Sequence, residues 1–105
     1  MDKSARNWVR CLDRPIANPV VVVKEGNGDW AVLFNPDTTD AVGINRVGVL
    51  VWGLMDGRHT LESITRTVKG EFADIPESVV EDVVLFAGDL AARGFVGYEL
   101  EVVPR

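Results

Sequence analysis

The stretch Asn45-Arg46-Val47-Gly48-Val49-Leu50-Val51-Trp52-Gly53-Leu54-Met55-Asp56-Gly57 constrains the chain more than any other. Asn45 offers a side-chain oxygen that can cap a helix, with Arg46 in the first turn. Val47, Leu50, Val51 and Leu54 recur at helical spacing, Trp52 and Met55 widen the apolar stripe, and Gly57 follows as a left-handed stop. A helix this short and this apolar predicts a place inside a small domain, in touch with every other element.

Upstream, the patterns are those of strands. Pro19 precedes Val20-Val21-Val22-Val23, a β-branched run that suits a sheet. Gly26-Asn27-Gly28-Asp29 is a hairpin signal, because Asn and Gly tolerate positive φ. Trp30 to Phe34 reads as a second strand, Asn35-Pro36-Asp37-Thr38-Thr39 as a turn, and Asp40 to Ile44 as a third strand running into the Asn45 cap. These three form an antiparallel meander with the second strand central. Residues 1–18 read as an irregular arm with one docked turn through Trp8, Val9 and Leu12.

Downstream, two more helices follow. Thr60 caps one that carries Leu61, Ile64, Val68 and Phe72. Ile75-Pro76 breaks the chain, and Pro76 opens a third helix that runs to Arg93 and stops at Gly94. Phe95 to Val103 is strand-like, either a terminal wing or a tail, with 99–105 outside the domain proper. On a helical projection the third helix is apolar over roughly 160°, wider than the ~100° that one core contact needs. Phe86, Val79, Leu90 and Val83 face the core; Val80, Val84, Ala87 and Ala91 lie to one side, where they wall a shallow groove. The simpler alternative is a well-buried helix. The fold class is therefore α+β, a winged helix-turn-helix with a three-stranded antiparallel sheet followed by three helices.

The chain has 105 residues, enough for one domain that buries only about 65% of its unfolded surface. Its net charge of -5 argues against nucleic acid and against anionic membranes. The third helix carries Glu77, Glu81, Asp82 and Asp89 against Arg93 alone, so a DNA-binding regulator is the weakest of the readings a winged helix raises. Cys11, the sole cysteine, excludes an internal disulfide, and the first residues lack the apolar block of a signal peptide, which makes a cytoplasmic protein the default. His59, the sole histidine, stands in a polar turn without metal-ligand company, and no nucleophile–base pair or phosphate loop is visible. No catalysis, cofactor or metal is expected.

What remains is an unpaired strand edge beside an apolar helix flank. Such an edge can template another strand, so a peptide can add to the sheet and place alternate side chains in pockets along the helix. The first and third strands are both candidates, and an open edge also permits a homodimer. A winged-helix protein–protein interaction module is the alternative.

The combined pattern Asn45-x-x-Gly48-x-x-Val51-Trp52-x-Leu54-x-Asp56-Gly57, Thr60-Leu61-Glu62-x-Ile64 and Asp82-Val83-x-x-Phe86-x-x-x-Leu90-x-x-x-Gly94-Phe95-Val96 resembles the PqqD-like family. Val32-Leu33-Phe34-Asn35-Pro36 also fits, and the likeness spans residues 19–98. It departs from the pattern in Ile44, where leucine is more usual, and in Gly53 within the first helix. The resemblance implies a recognition element for the leader segment of a ribosomally made, later modified precursor peptide, serving a modifying enzyme that is often a radical SAM maturase. It implies a leader bound on the third strand, at Asp40, Ala41, Val42, Gly43 and Ile44, in a cleft lined by Val80, Val83, Val84, Ala87 and Ala91. Trp52, Leu54 and Phe86 take core roles in it. A discrete, stand-alone element is expected.

Overall fold

The computed structural model describes residues 14–72 and 74–98. Its elements run β1 (Pro15–Ala17), β2 (Val22–Gly26), β3 (Trp30–Asn35), β4 (Asp40–Asn45), α1 (Arg46–Gly53), α2 (Leu61–Glu71), α3 (Val79–Ala92) and β5 (Val96–Tyr98). Strands β2, β3 and β4 form the expected antiparallel meander with β3 central, and three helices follow, so the α+β winged-helix architecture holds. Asn27 and Gly28 both take positive φ in the tight turn between β2 and β3.

The edges of several elements differ from expectation for local reasons. The first meander strand begins at Val22 rather than Val20, because Asn18 folds the chain over Pro19: its carbonyl accepts from Val21 N and its side chain from Val20 N. Residues 15–17, read from sequence within an irregular arm, form β1 and pair antiparallel with β5 as a two-stranded wing. The docked turn through Trp8, Val9 and Leu12 lies outside the described residues, as does the tail.

Helix α1 stops at Gly53, before Gly57. Leu54 N closes it on Leu50 and Val51 carbonyls, and the chain is then drawn to the wing, with Ala17 N bonding Met55 O and Gly57 N bonding Pro15 O. Gly57 keeps positive φ, as a turn residue beyond the helix. Helix α3 starts at Val79 rather than Pro76, after a turn in which Val79 N bonds Pro76 O. Gly94, at φ 83°, ends it as expected. Two caps also agree: Asn45 Oδ1 accepts from Gly48 N at 2.9 Å and Thr60 Oγ1 from Ser63 N at 3.0 Å.

The core lies between the inner face of the sheet and the helices. Ala31 and Leu33 from β3, Ile44 from β4, Val51, Leu61, Ile64 and Val68 from α1 and α2, and Val79, Val83, Ala87 and Leu90 from α3 are buried in one cluster with Phe95. Helix α1 packs chiefly on β3, β4 and α2, so it does not touch every element equally. Among the described residues no helix is long and apolar enough to cross a membrane.

Candidate functional site

Strand β4 is an outer strand, paired with β3 alone among the described residues. Ala41 shows which way its polar groups point. The Ala41 carbonyl accepts from Arg93 Nη2 at 3.0 Å, so it faces away from β3. Since outward-facing residues alternate along an antiparallel strand, the N–H and C=O of Gly43 face the same open side. The wing strand β1 runs to β5 and Asp56, leaving this edge uncovered by the described part of the arm.

Helix α3 runs antiparallel alongside that edge. Asp82, Phe86, Asp89 and Arg93, spaced by four, three and four residues, share one face of the helix. Arg93 meets the Asp40 end of β4, and Asp82 and Phe86 meet the Asn45 end. There a cavity of about 220 Å³ opens between Asn45, Val47, Ile75, Pro76, Val79, Asp82, Val83 and Phe86. Its walls are apolar, and Asn45 and Asp82 contribute polar atoms to them. Such a recess accepts one apolar side chain from a strand laid on the edge.

At the other end stands an ion-pair cluster. Arg93 Nε and Nη2 meet Asp40 Oδ2 and Oδ1 at 2.8 and 2.9 Å, and Nη1 meets Asp89 Oδ2 at 3.1 Å. The hydrogen bond from Arg93 holds the Asp40 carboxyl below the usual carboxylate range, against a smaller opposing effect of burial. The guanidinium is pushed up in turn, and it sits 5.7 Å from the Phe95 ring centroid.

Of the residues singled out by sequence, Asp40, Ala41, Val42, Gly43 and Ile44 all lie in β4, with Ala41 and Gly43 exposed and Ile44 buried. The α3 residues divide differently from the helical projection. Val83 and Ala87 are core residues; Val83 still contributes to the lining of the recess, whereas Ala87 has no exposed surface and forms no open wall. Val80 lines a depression with Glu62, Thr65, Arg66 and Lys69 of α2, and Val84 borders another with Glu81 and Leu85. By the 100° step of the helix, Ala91 falls on that flank too. The structure therefore does not bring Val80, Val84 and Ala91 to β4. The projection sets the core face over Phe86, Val79, Leu90 and Val83, whereas the buried residues are Val79, Val83, Ala87 and Leu90. The helix is turned to bury Ala87 and leave Phe86 at the margin, and the cleft flank is the other one. Phe86 is half-buried, packing on the core and lining the cavity, and Trp52 and Leu54 pack on the core as partly buried side chains. Asn45, Val47, Asp82 and Arg93 were missed; the recurrence of 82, 86, 89 and 93 on one helix face was the available signal.

Two further features frame the site. The outer face of the sheet is exposed and largely apolar: Val22, Trp30, Val32 and Phe34 lie together there, beside Ala41 and Gly43, with Lys24 opposite Val32. In the exposed turn, His59 Nδ1 lies 3.0 Å from Asp56 Oδ1. The Arg58 backbone N–H, and then His59, hold the Asp56 carboxyl below its usual range. Among the described residues no group of three His, Cys, Asp or Glu side chains is placed to hold a metal ion.

Comparison with known proteins adds three findings. Residues 31–96 match the family described as Coenzyme PQQ synthesis protein D (PqqD). No curated protein sequence matches significantly. Two solved structures share the fold: TbiB1 in complex with the TbiA(beta) leader peptide, and the heterocyclase TruD. TbiB1 has a TM-score of 0.68 and 22% identity, covering 82% of this chain and 99% of that one. TruD has a TM-score of 0.57 and 14% identity, covering 88% of this chain but only 12% of that one.

Proposed function

This chain belongs to the PqqD family, and on that premise we propose that it binds the leader segment of a ribosomally made precursor peptide. The leader adds to β4 as an extra antiparallel strand, with one apolar side chain in the recess between Val47 and Phe86. The protein does no chemistry itself; it presents the leader to a modifying enzyme, a radical SAM maturase in this proposal. The observation that carries the reading is the open edge of β4 beside an antiparallel α3 with that recess at one end. TbiB1, covered over 99% of its length, supports it as a chain of like fold that holds a leader peptide.

The enzyme needs a surface that the leader leaves free. The outer sheet face, with Val22, Trp30, Val32 and Phe34, is contiguous, largely apolar and turned away from the helices. The recurrence of the fold as a small part of the TruD heterocyclase supports an enzyme as second partner.

The test is a titration of isotope-labelled protein with synthetic leaders from precursor genes adjacent to its own. Saturable shifts concentrated on Ala41–Asn45 and on Val79, Asp82 and Phe86 are expected. Shifts confined to the wing and α2 would remove this site, and no saturable binding of any such leader would remove the function.

A further inference from the structure

We infer that Arg93 sets where the pairing of a guest strand on β4 ends. The inference rests on the strand-addition reading above. Beyond Asn45, whose side chain caps α1, a guest reads β4 through its other outward-facing residues, Ala41 and Gly43. These are the two smallest side chains available, and a Cβ built on Gly43 would meet nothing within 4 Å. Small residues on an exposed edge specify register weakly, because a guest that slips by two residues meets much the same surface. Something other than the strand must fix its position.

Arg93 is placed to do so. At Gly43 both backbone polar groups face the open side, whereas at Ala41 the carbonyl is already taken by Arg93 Nη2 at 3.0 Å. That nitrogen also donates to Asp40 Oδ1, Nε donates to Asp40 Oδ2, and Nη1 reaches Asp89. A guanidinium held by two carboxylates forms charge-assisted bonds, each stronger than the neutral bond that a guest N–H would gain by displacing it. The guest ladder therefore pairs at Gly43 and stops short of the Ala41 carbonyl. With the stop at one end and the recess by Val47 and Phe86 at the other, the spacing between a leader's last paired residue and its apolar anchor is fixed. Arg93 is thus a positioning residue: it acts through the Ala41 carbonyl that it occupies.

The experiment uses the full chain and a displayed library of random peptides selected for binding to it. The best binder is isotope-labelled, and exchange of each of its backbone amides is measured on the wild type and on Arg93→Met. On the wild type, the amide facing the Gly43 carbonyl exchanges slowly and the next outward-facing amide, toward Asp40, exchanges freely. On Arg93→Met that one amide slows by roughly fivefold or more, the effect of one added hydrogen bond, or the peptide shows two registers. A structural role alone would move all the peptide's amides together. If Arg93→Met does not fold, Arg93→Lys keeps a cation near Asp40 without the planar fork that also spans Ala41, and the same amide is followed. Identical exchange patterns on wild type and variant overturn the inference while leaving strand addition intact. Failure of every library member to bind along β4 removes the strand-addition reading, and the inference with it.

Discussion

Arg93 and Asp40, 53 residues apart, are joined at two points, Nε to Oδ2 at 2.8 Å and Nη2 to Oδ1 at 2.9 Å. The pair ties the C-terminal end of α3 to the first residue of β4, and so holds one end of the cleft at a fixed width. Because Arg93 lowers the Asp40 pKa in the folded state, the contribution of the pair is fully present above the unfolded value, near 3.8, and is lost as pH falls through the folded one. The melting temperature of Asp40→Asn should therefore lie below that of the wild type from neutral pH down to that value. The gap should narrow below it. A gap that stays constant into strong acid would show that Asp40 is not the titrating partner.

Asn35 governs a second tie at the same end of the molecule. Its side chain is buried; Nδ2 donates to Gly94 O at 2.9 Å, and Oδ1 accepts from Asp37 N at 2.9 Å. It thus joins the last residue of β3 to the stop of α3 and shapes the turn into β4. Asn35→Ala leaves Asp37 N without its partner and removes one of two side-chain donors to Gly94 O, the other being Asn18. A loss of about 1–3 kcal/mol is expected in urea unfolding. A loss much below that range would mean that water replaces both bonds.

These ties bear on what was legible in the sequence. Local signals carried the meander, the Asn45 and Thr60 caps and the Gly94 stop, because each rests on a few adjacent residues. The strand-like pattern after Phe95 was readable as a candidate wing, but β1 and its pairing with β5 were not, since the partners are 81 residues apart at Ile16 and Gly97 and a three-residue strand has little pattern of its own. The edge at Asp40–Ile44 was readable as a candidate from the meander, although the choice of that edge came from family likeness. The cleft side of α3 was not readable. An apolar arc of that width permits several rotations, and the rotation adopted buries Ala87 and turns Asp82, Phe86 and Arg93 toward β4. The deciding contact, Arg93 with Asp40, is long-range and leaves no local trace.

Gly48 offers a test of the packing under the cleft. A Cβ there would come within 2.9 Å of Ile44 Cβ, an atom held by its own backbone in β4. Gly48→Ala should gain about 1 kcal/mol of helix propensity yet lose ~1–3 kcal/mol to overpacking, for a net destabilisation. Thermal unfolding reads the sign directly. A stabilised variant would mean that α1 and β4 separate at little cost.

The two flanks of α3 make opposite predictions for leader binding. Phe86 lines the recess, and truncating it to alanine removes the wall against which an apolar anchor packs. About a tenfold loss of affinity is expected, or ~1.4 kcal/mol, measured by calorimetry with the leader that binds the wild type. Val84 lies on the other flank beside Glu81 and Leu85, so Val84→Asp should leave affinity within about twofold. Ala87 has no exposed surface, and Ala87→Arg forces a long cation into the core. It should cost more than about 3 kcal/mol and abolish the fold along with binding, which circular dichroism distinguishes from loss of a contact. If Val84→Asp weakened the leader while Phe86→Ala did not, the guest would lie on the α2 side of the helix, and β4 would lose its place as the docking edge.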